Sequence, residues 1–368
     1  MRTFDDILPE GLEDYLQPGA ARVTRAMRAA LDTLDSHGYD RVRPPLVEFE
    51  QSMATRMANV SAHRMFRFVD PASLHMLALR SDMTVQVGRM AATSLNAAPR
   101  PLRLCYAGEV ATIVPEGLDP ARQSLQIGAE LVGGDSAEAA AEIATLAIAA
   151  LRAAGAENIG IDFTLPDLVD TLAEEALPLP VEKREAVRRE LDMKDAGALK
   201  AAAGEAYLPL LYAAGPFEQA LAHIAAIDAG GALASRIAGL RKVAEHIGDS
   251  ARITLDPTER HGFEYQSWFG FTLYADGVRG AMGRGGTYSI GGTDEVATGF
   301  SLYLDPLVRV LPDHPSQRTA YLLPDHDKEV AADLRTKGWR TVNALIEGEN
   351  PVALGCTHRL EGAEPVAL

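Results

Sequence analysis

Gln123-Ser124-Leu125-Gln126-Ile127-Gly128-Ala129-Glu130 is the stretch on which the fold turns. Continued through Leu131-Val132, it reads as a strand over Ser124–Val132. A loop holding Pro115, Gly117 and Pro120 joins it to an earlier strand, Arg103–Ala107. A second polar run, Arg80-Ser81-Asp82-Met83-Thr84, leads into a helix over Asp82–Ser94. Both runs carry polar groups suited to holding a small amino acid.

Outward from these runs, Ala20–Ser36 has apolar residues at Val23, Met27, Ala30, Leu31 and Leu34, the spacing of an amphipathic helix. His37-Gly38 ends it, because glycine adopts the left-handed cap conformation cheaply. Tyr39–Glu50 reads as a strand interrupted by Pro44-Pro45, which suits only an edge or an interface. Met65–Val69 and His75–Leu79 read as a hairpin, Ala137–Ala154 as a helix and Ile159–Phe163 as a strand. Pro166–Gly248 changes to an alanine- and leucine-rich helical run broken at Pro178-Leu179-Pro180, Gly215-Pro216 and Gly230-Gly231. Strands are expected again at Arg252–Asp256, Tyr265–Tyr274 and Gly277–Met282. A glycine-rich turn region follows over Gly283–Gly292, then a helix over Val296–Val310. After a linker at Asp313-His314-Pro315-Ser316, the tail offers a strand (Ala320–Leu323), a helix (Lys328–Lys337) and strands at Arg340–Leu345 and Val352–Gly355. The expectation is an α+β fold: an antiparallel sheet with flanking helices, a helical insertion and a small C-terminal α/β fragment. The divisions read as 1–164 and 251–312 for the core, 165–250 for the insertion and 318–368 for the fragment.

Composition narrows the function. The net charge of -16 argues against a nucleic-acid face, because such binding rests on Lys and Arg neutralising phosphates. Cys105 and Cys356 are isolated, so neither a zinc knuckle nor a redox pair is available, and both read as reduced core thiols. The N-terminus has acidic residues where a signal peptide needs an apolar run. Ala137–Ala154 is too short and polar to span a bilayer, so a cytoplasmic protein is expected. His261-x-x-Glu264 and Pro324-Asp325-His326-Asp327 are rejected as metal sites, and no cofactor is expected. Gly283–Gly292 lacks the strand-to-helix placement of a phosphate cradle.

The stretch from His37 to Glu48 resembles motif 1 of class II aminoacyl-tRNA synthetases, specifically of the histidyl-tRNA synthetase family. Leu79-Arg80-Ser81-Asp82-Met83-Thr84 is similar to that family's Leu-Arg-Pro-Glu-x-Thr segment. Tyr106-Ala107-Gly108 and Arg122–Glu130 resemble motif 2. Gly262-Phe263-Glu264-Tyr265 resembles Gly-Leu-Asp-Tyr, and Gly285-Gly286-Thr287-Tyr288 resembles Gly-Gly-Arg-Tyr. Thr298-Gly299-Phe300-Ser301-Leu302 resembles the start of motif 3. The resemblance spans roughly Gly11–Leu311 and implies the class II synthetase-like sheet. It also implies a histidine pocket of Asp82, Thr84, Gln126, Glu130, Glu264, Tyr265 and Tyr288. Asp82 and Thr84 would meet the ammonium group and Glu130 the imidazole, through a charge-assisted bond.

The departures decide activity. Arginines of the synthetase pattern are replaced by Thr112, His261, Thr287 and Pro306, and a glutamate by Val114. Adenylate formation needs cations aimed at charge developing on phosphorus, and threonine and proline supply none. The resemblance therefore points to a non-catalytic relative, the family of ATP phosphoribosyltransferase regulatory subunits. It implies no catalytic residues, a hetero-oligomer with the catalytic subunit, L-histidine as effector, a homodimer through the motif 1 region and no tRNA. Two rivals stay open: a diverged aminoacyl ligase, and a scaffold for the catalytic subunit that senses nothing.

Overall fold

A computed structural model describes residues 7–54, 64–115, 120–227, 230–260, 267–313, 318–346 and 348–368. The chain forms two compact units, Met1–Leu311 and Pro312–Leu368. The first unit begins with α1 (Gly19–Ser36), β1 (Asp40–Arg41), β2 (Val47–Phe49), α2 (Glu50–Ala54), β3 (Arg67–Val69) and β4 (Met76–Leu79). It continues with α3 (Thr84–Ala92), β5 (Leu102–Ala111), β6 (Gln123–Val132), α4 (Ala137–Ala153) and β7 (Gly160–Thr164). A helical run follows: α5 (Leu168–Glu175), α6 (Val181–Asp192), α7 (Ala196–Ala201), a 3-10 stretch over Glu205–Tyr212, β8 (Gly215–Pro216), α8 (Phe217–Ile227) and α9 (Ala234–Ile247). The unit closes with β9 (Arg252–Leu255), β10 (Gly270–Tyr274), β11 (Gly283–Ser289), β12 (Val296–Tyr303) and α10 (Asp305–Val310).

Nine strands form one sheet in the order β1-β5-β6-β12-β11-β10-β7-β9-β8, antiparallel from β5 through β7. Helices α1 and α4 cover one face, because each presents apolar residues to it. On α1 these are Ala26, Ala30 and Leu34 at helical spacing, packed with Ile127, Ala129 and Leu131 of β6. Helix α4 starts where the Ser136 hydroxyl accepts the Ala139 N–H at 3.3 Å, a side-chain N-cap. Helix α3 lies on the other face. Its Val87, and Met83 just before it, pack with Leu104 and Tyr106 of β5.

The second unit holds β13 (Thr319–Leu322), α11 (Lys328–Thr336), β14 (Arg340–Asn343), β15 (His358–Glu361) and β16 (Glu364–Ala367), with sheet order β14-β13-β15-β16. Asp327 caps α11 by accepting from the Glu329 and Val330 amides, so the Asp325-His326-Asp327 run serves a helix start. Among the described residues, no helix is long and apolar enough to cross a membrane.

The α+β architecture agrees with expectation, but several elements differ. Pro44-Pro45 divides Tyr39–Glu50 into β1 and β2, which belong to different sheets. Gly277–Met282 is a turn rather than a strand, and Gly283–Ser289 is a strand rather than a turn. Its glycines serve close packing. A Cβ on Gly285 would lie 2.3 Å from the Phe271 ring, and one on Gly283 would lie 2.5 Å from the Ser301 carbonyl oxygen. Val296–Tyr303 is β12, with only Asp305–Val310 helical. Val352–Gly355 forms turns, and the last strands are β15 and β16. The helical run also contributes β8, paired to β9. The Tyr265-Gln266 start of the expected strand lies outside the described residues.

Candidate functional site

Strand alternation builds the site. Directly opposed residues of an antiparallel pair share a face, as do residues two apart on one strand. Glu130 on β6 opposes Gly299 on β12, which opposes Gly286 on β11. Tyr106 on β5 opposes Gly128, and Gly128 opposes Ser301. Gln126, Glu130, Tyr106, Ser301 and Tyr288 therefore share the face on which α3 lies.

Three of these strand positions are glycine, and a functional side chain covers two of them. A Cβ on Gly299 would lie 1.7 Å from Glu130 Oε2, and one on Gly128 would lie 2.3 Å from the Tyr106 hydroxyl. The bare backbone lets both side chains lie along the sheet. Glu130 is buried to 1 % exposure and held at both oxygens. The Tyr106 hydroxyl donates to Oε1 at 3.0 Å, and the Tyr288 hydroxyl donates to Oε2 at 2.7 Å.

The network extends to the start of α3. Thr84 Oγ1 lies 3.0 Å from the Tyr106 hydroxyl and 3.5 Å from Ser301 Oγ. The Thr84 amide donates to Asp82 Oδ1 at 2.6 Å, and the Met83 amide donates to Gln126 Oε1 at 2.9 Å. Gln126 Nε2 donates to Ser301 Oγ at 2.8 Å. Unpaired helix-start amides are costly, so these bonds fix both Asp82 and Gln126.

Burial, reinforced by the Asp82 charge, pushes the Glu130 carboxyl up to about 8, although the Tyr288, Tyr106 and Thr84 hydroxyls oppose the shift. Burial, with Glu130 and Asp82 nearby, also holds the Tyr106 hydroxyl well above its ordinary range. The arrangement is an acidic, hydroxyl-lined site with two buried carboxyl groups, suited to a ligand bringing N–H donors or positive charge.

The structure brings Asp82, Thr84, Gln126, Glu130 and Tyr288 into one network. Glu264 and Tyr265 lie outside the described residues, as do His261 and Gln266. Sequence reasoning assigned no role to Tyr106 or Ser301, although Tyr106 links Thr84 to Glu130. The available signal was Gly128, a lone strand glycine marking a close approach.

The replaced arginine positions are not equivalent. Thr112 spends its hydroxyl on the carbonyls of Val114 at 2.9 Å and Arg64 at 3.3 Å. Pro306 sits in the first turn of α10. Thr287 does not line the site. It opposes Thr298 on the face away from Glu130, with the two hydroxyls 3.1 Å apart. Its β-strand direction keeps it off the pocket. Among the described residues, no group of three His, Cys, Asp or Glu side chains could hold a metal.

Residues 11–307 match the family model described as histidyl-tRNA synthetase. An ATP phosphoribosyltransferase regulatory subunit from Rhodospirillum centenum is 40% identical over 366 residues, covering 97% of this chain and 95% of the relative. The one from Paramagnetospirillum magneticum is 39% identical, covering 96% of each chain. A Bacillus halodurans structure, titled as an ATP phosphoribosyltransferase regulatory subunit/histidyl-tRNA synthetase, superposes with a TM-score of 0.82 at 23% identity. That match covers 96% of this chain and 97% of the other. A histidyl-tRNA synthetase from a Nostoc species gives 0.78 at 15% identity, covering 98% and 91%. At these identities the two structures speak for the fold.

Proposed function

Because the chain belongs to the ATP phosphoribosyltransferase regulatory subunits, a group within the histidyl-tRNA synthetase family, we propose that it senses L-histidine in the remnant amino-acid pocket. Its place is histidine biosynthesis, beside a catalytic subunit. The observation that carries the reading is the buried Glu130, held between Tyr106 and Tyr288 and joined through Thr84 to Asp82. An imidazole N–H would meet Glu130, and the ammonium group would meet Asp82 and Thr84.

The chain is read as non-catalytic: at Thr112 and Pro306 there is no cation to stabilise charge on phosphorus. Histidine then acts by favouring one state of the complex, and linkage requires the catalytic subunit to alter histidine affinity in return. The reading includes a homodimer through the motif 1 region. It is supported by the three-stranded sheet β2-β4-β3, which exposes Phe49, Phe68, Val69 and Met76, with Leu46 just before it. It excludes tRNA, given the net charge of -16. It puts the chain in the cytoplasm, in keeping with two separate buried thiols.

Calorimetric titration of the purified chain with L-histidine, and separately with ATP, tests the reading. Histidine is expected to bind and ATP to give no heat of binding. Tight ATP binding, or pyrophosphate exchange that depends on histidine, would instead support the ligase reading. Silence toward histidine would leave a scaffold.

A further inference from the structure

Arg80 is a buried cation without a carboxylate. It is 7 % exposed. Its Nε donates to the Glu109 carbonyl at 2.7 Å, and Nη1 donates to the Pro44 carbonyl at 3.0 Å. Nη2 makes no hydrogen bond among the described residues. A buried charge is costly unless an opposite charge meets it, and an arginine does not escape by losing its proton. Nearby Glu109 contributes a favourable field, but its carboxylate accepts from Gln123 and does not bond Arg80.

The position of Nη2 gives this charge a direction. Gly108 follows Tyr106 by two residues on β5, so it belongs to the pocket face, and it opposes Gln126 on β6. Arg80 Nη2 lies 2.3 Å from where a Cβ on Gly108 would stand. The guanidinium thus covers a third strand glycine, beside Gln126, as Tyr106 covers Gly128 and Glu130 covers Gly299. It also lies two residues before Asp82 in the chain. Another arginine of this face, Arg284 on β11, opposes Ser301 and stands two strands away from Gln126.

Resting on the histidine-pocket reading, we infer that Arg80 is the anchor for the α-carboxylate of the bound amino acid. Asp82, Thr84 and Glu130 account for the nitrogen-bearing groups of such a ligand, and none of them is a cation. A guanidinium N–H forms a charge-assisted bond to a carboxylate oxygen, and here Nη2 is the donor left over. The ligand class is therefore an amino acid with a free carboxylate, and decarboxylated or amidated analogues are selected against.

Histamine keeps the imidazole and amine of histidine but lacks the carboxylate. Calorimetric titration should show histamine binding about 10- to 100-fold more weakly than L-histidine, the range of one lost charged hydrogen bond. Arg80→Lys and Arg80→Met should weaken histidine, the lysine variant less, while leaving histamine affinity within about twofold. A merely structural role for Arg80 would lower both affinities together, and that result would overturn the inference. So would equal binding of the two ligands by the parent chain, which needs no variant to fold. Loss of discrimination in Arg284→Gln, with Arg80→Met retaining it, would move the anchor to Arg284. If the parent chain binds neither ligand, the histidine-pocket reading itself fails and takes this assignment with it.

Discussion

Gly299→Ala should lose histidine binding by about 100-fold or more and destabilise the first unit by about 2–3 kcal/mol. The added Cβ would stand 1.7 Å from Glu130 Oε2, 2.5 Å from its Cδ and 2.8 Å from the Ala129 carbonyl oxygen. Gly299 is held on both sides by strand pairing, to Glu130 and to Gly286. The backbone cannot retreat without breaking the sheet, so the carboxyl must move. Glu130 is fully enclosed, and any move breaks its bonds to Tyr106 and Tyr288. Buried polar groups left without partners account for much of the cost. Calorimetry with L-histidine and urea unfolding followed by circular dichroism measure the two effects. Unchanged histidine affinity in a folded variant would mean that Glu130 is not a ligand-binding group.

Glu130→Gln separates binding from stability by moving them in opposite directions. Histidine affinity should fall about 100-fold, because the bound imidazole drives the Glu130 carboxyl into its charged form and glutamine cannot supply that charge-assisted bond. Stability at alkaline pH should rise. The carboxyl sits at about 8 in the folded chain, against an ordinary value of 4.5, chiefly because burial disfavours its charged form. Below about pH 4.5 it is protonated in both the folded and unfolded chains, and its contribution to stability is fully present. Between about 4.5 and 8 the unfolded chain ionises while the folded chain keeps its proton. Stability therefore falls as pH rises through that window, and levels off above it. The loss is on the order of 3–5 kcal/mol. Glutamine has nothing to ionise, so the variant's urea midpoint should decline less between pH 5 and pH 8. Parallel profiles for variant and parent would show that Glu130 is ionised at neutral pH in the empty pocket.

Much of the candidate site was legible in the sequence. The polar types at 82, 84, 126, 130 and 288 stand in segments whose order and spacing match a known pattern. The structure joins these residues in one hydrogen-bonded network. What failed was the reading of glycine. In Gly283–Gly292 three glycines within four residues look like a turn, because glycine tolerates turn conformations. In β11, neighbouring strands and the Phe271 ring leave no room for a Cβ at Gly283 or Gly285. Val296–Val310 failed for a related reason. Its apolar residues suit a helix, yet Val296–Tyr303 is buried between β6 and β11, where strand pairing overrides local preference.

The sequence alone determined the fold class and the residue types of the candidate site, with threonine and proline standing where the resemblance places cations for phosphate chemistry. Those conclusions depend on residue identity and order, which a linear chain carries directly. Tertiary structure alone decided that Thr287 faces away from the pocket, that Tyr106 bridges Thr84 and Glu130, and that Arg80 covers Gly108 beside Gln126. It also decided that burial pushes the Glu130 carboxyl up to about 8. Side-chain direction follows strand register, and a shifted carboxyl follows burial by distant segments. Both arise from contacts between residues far apart in the chain.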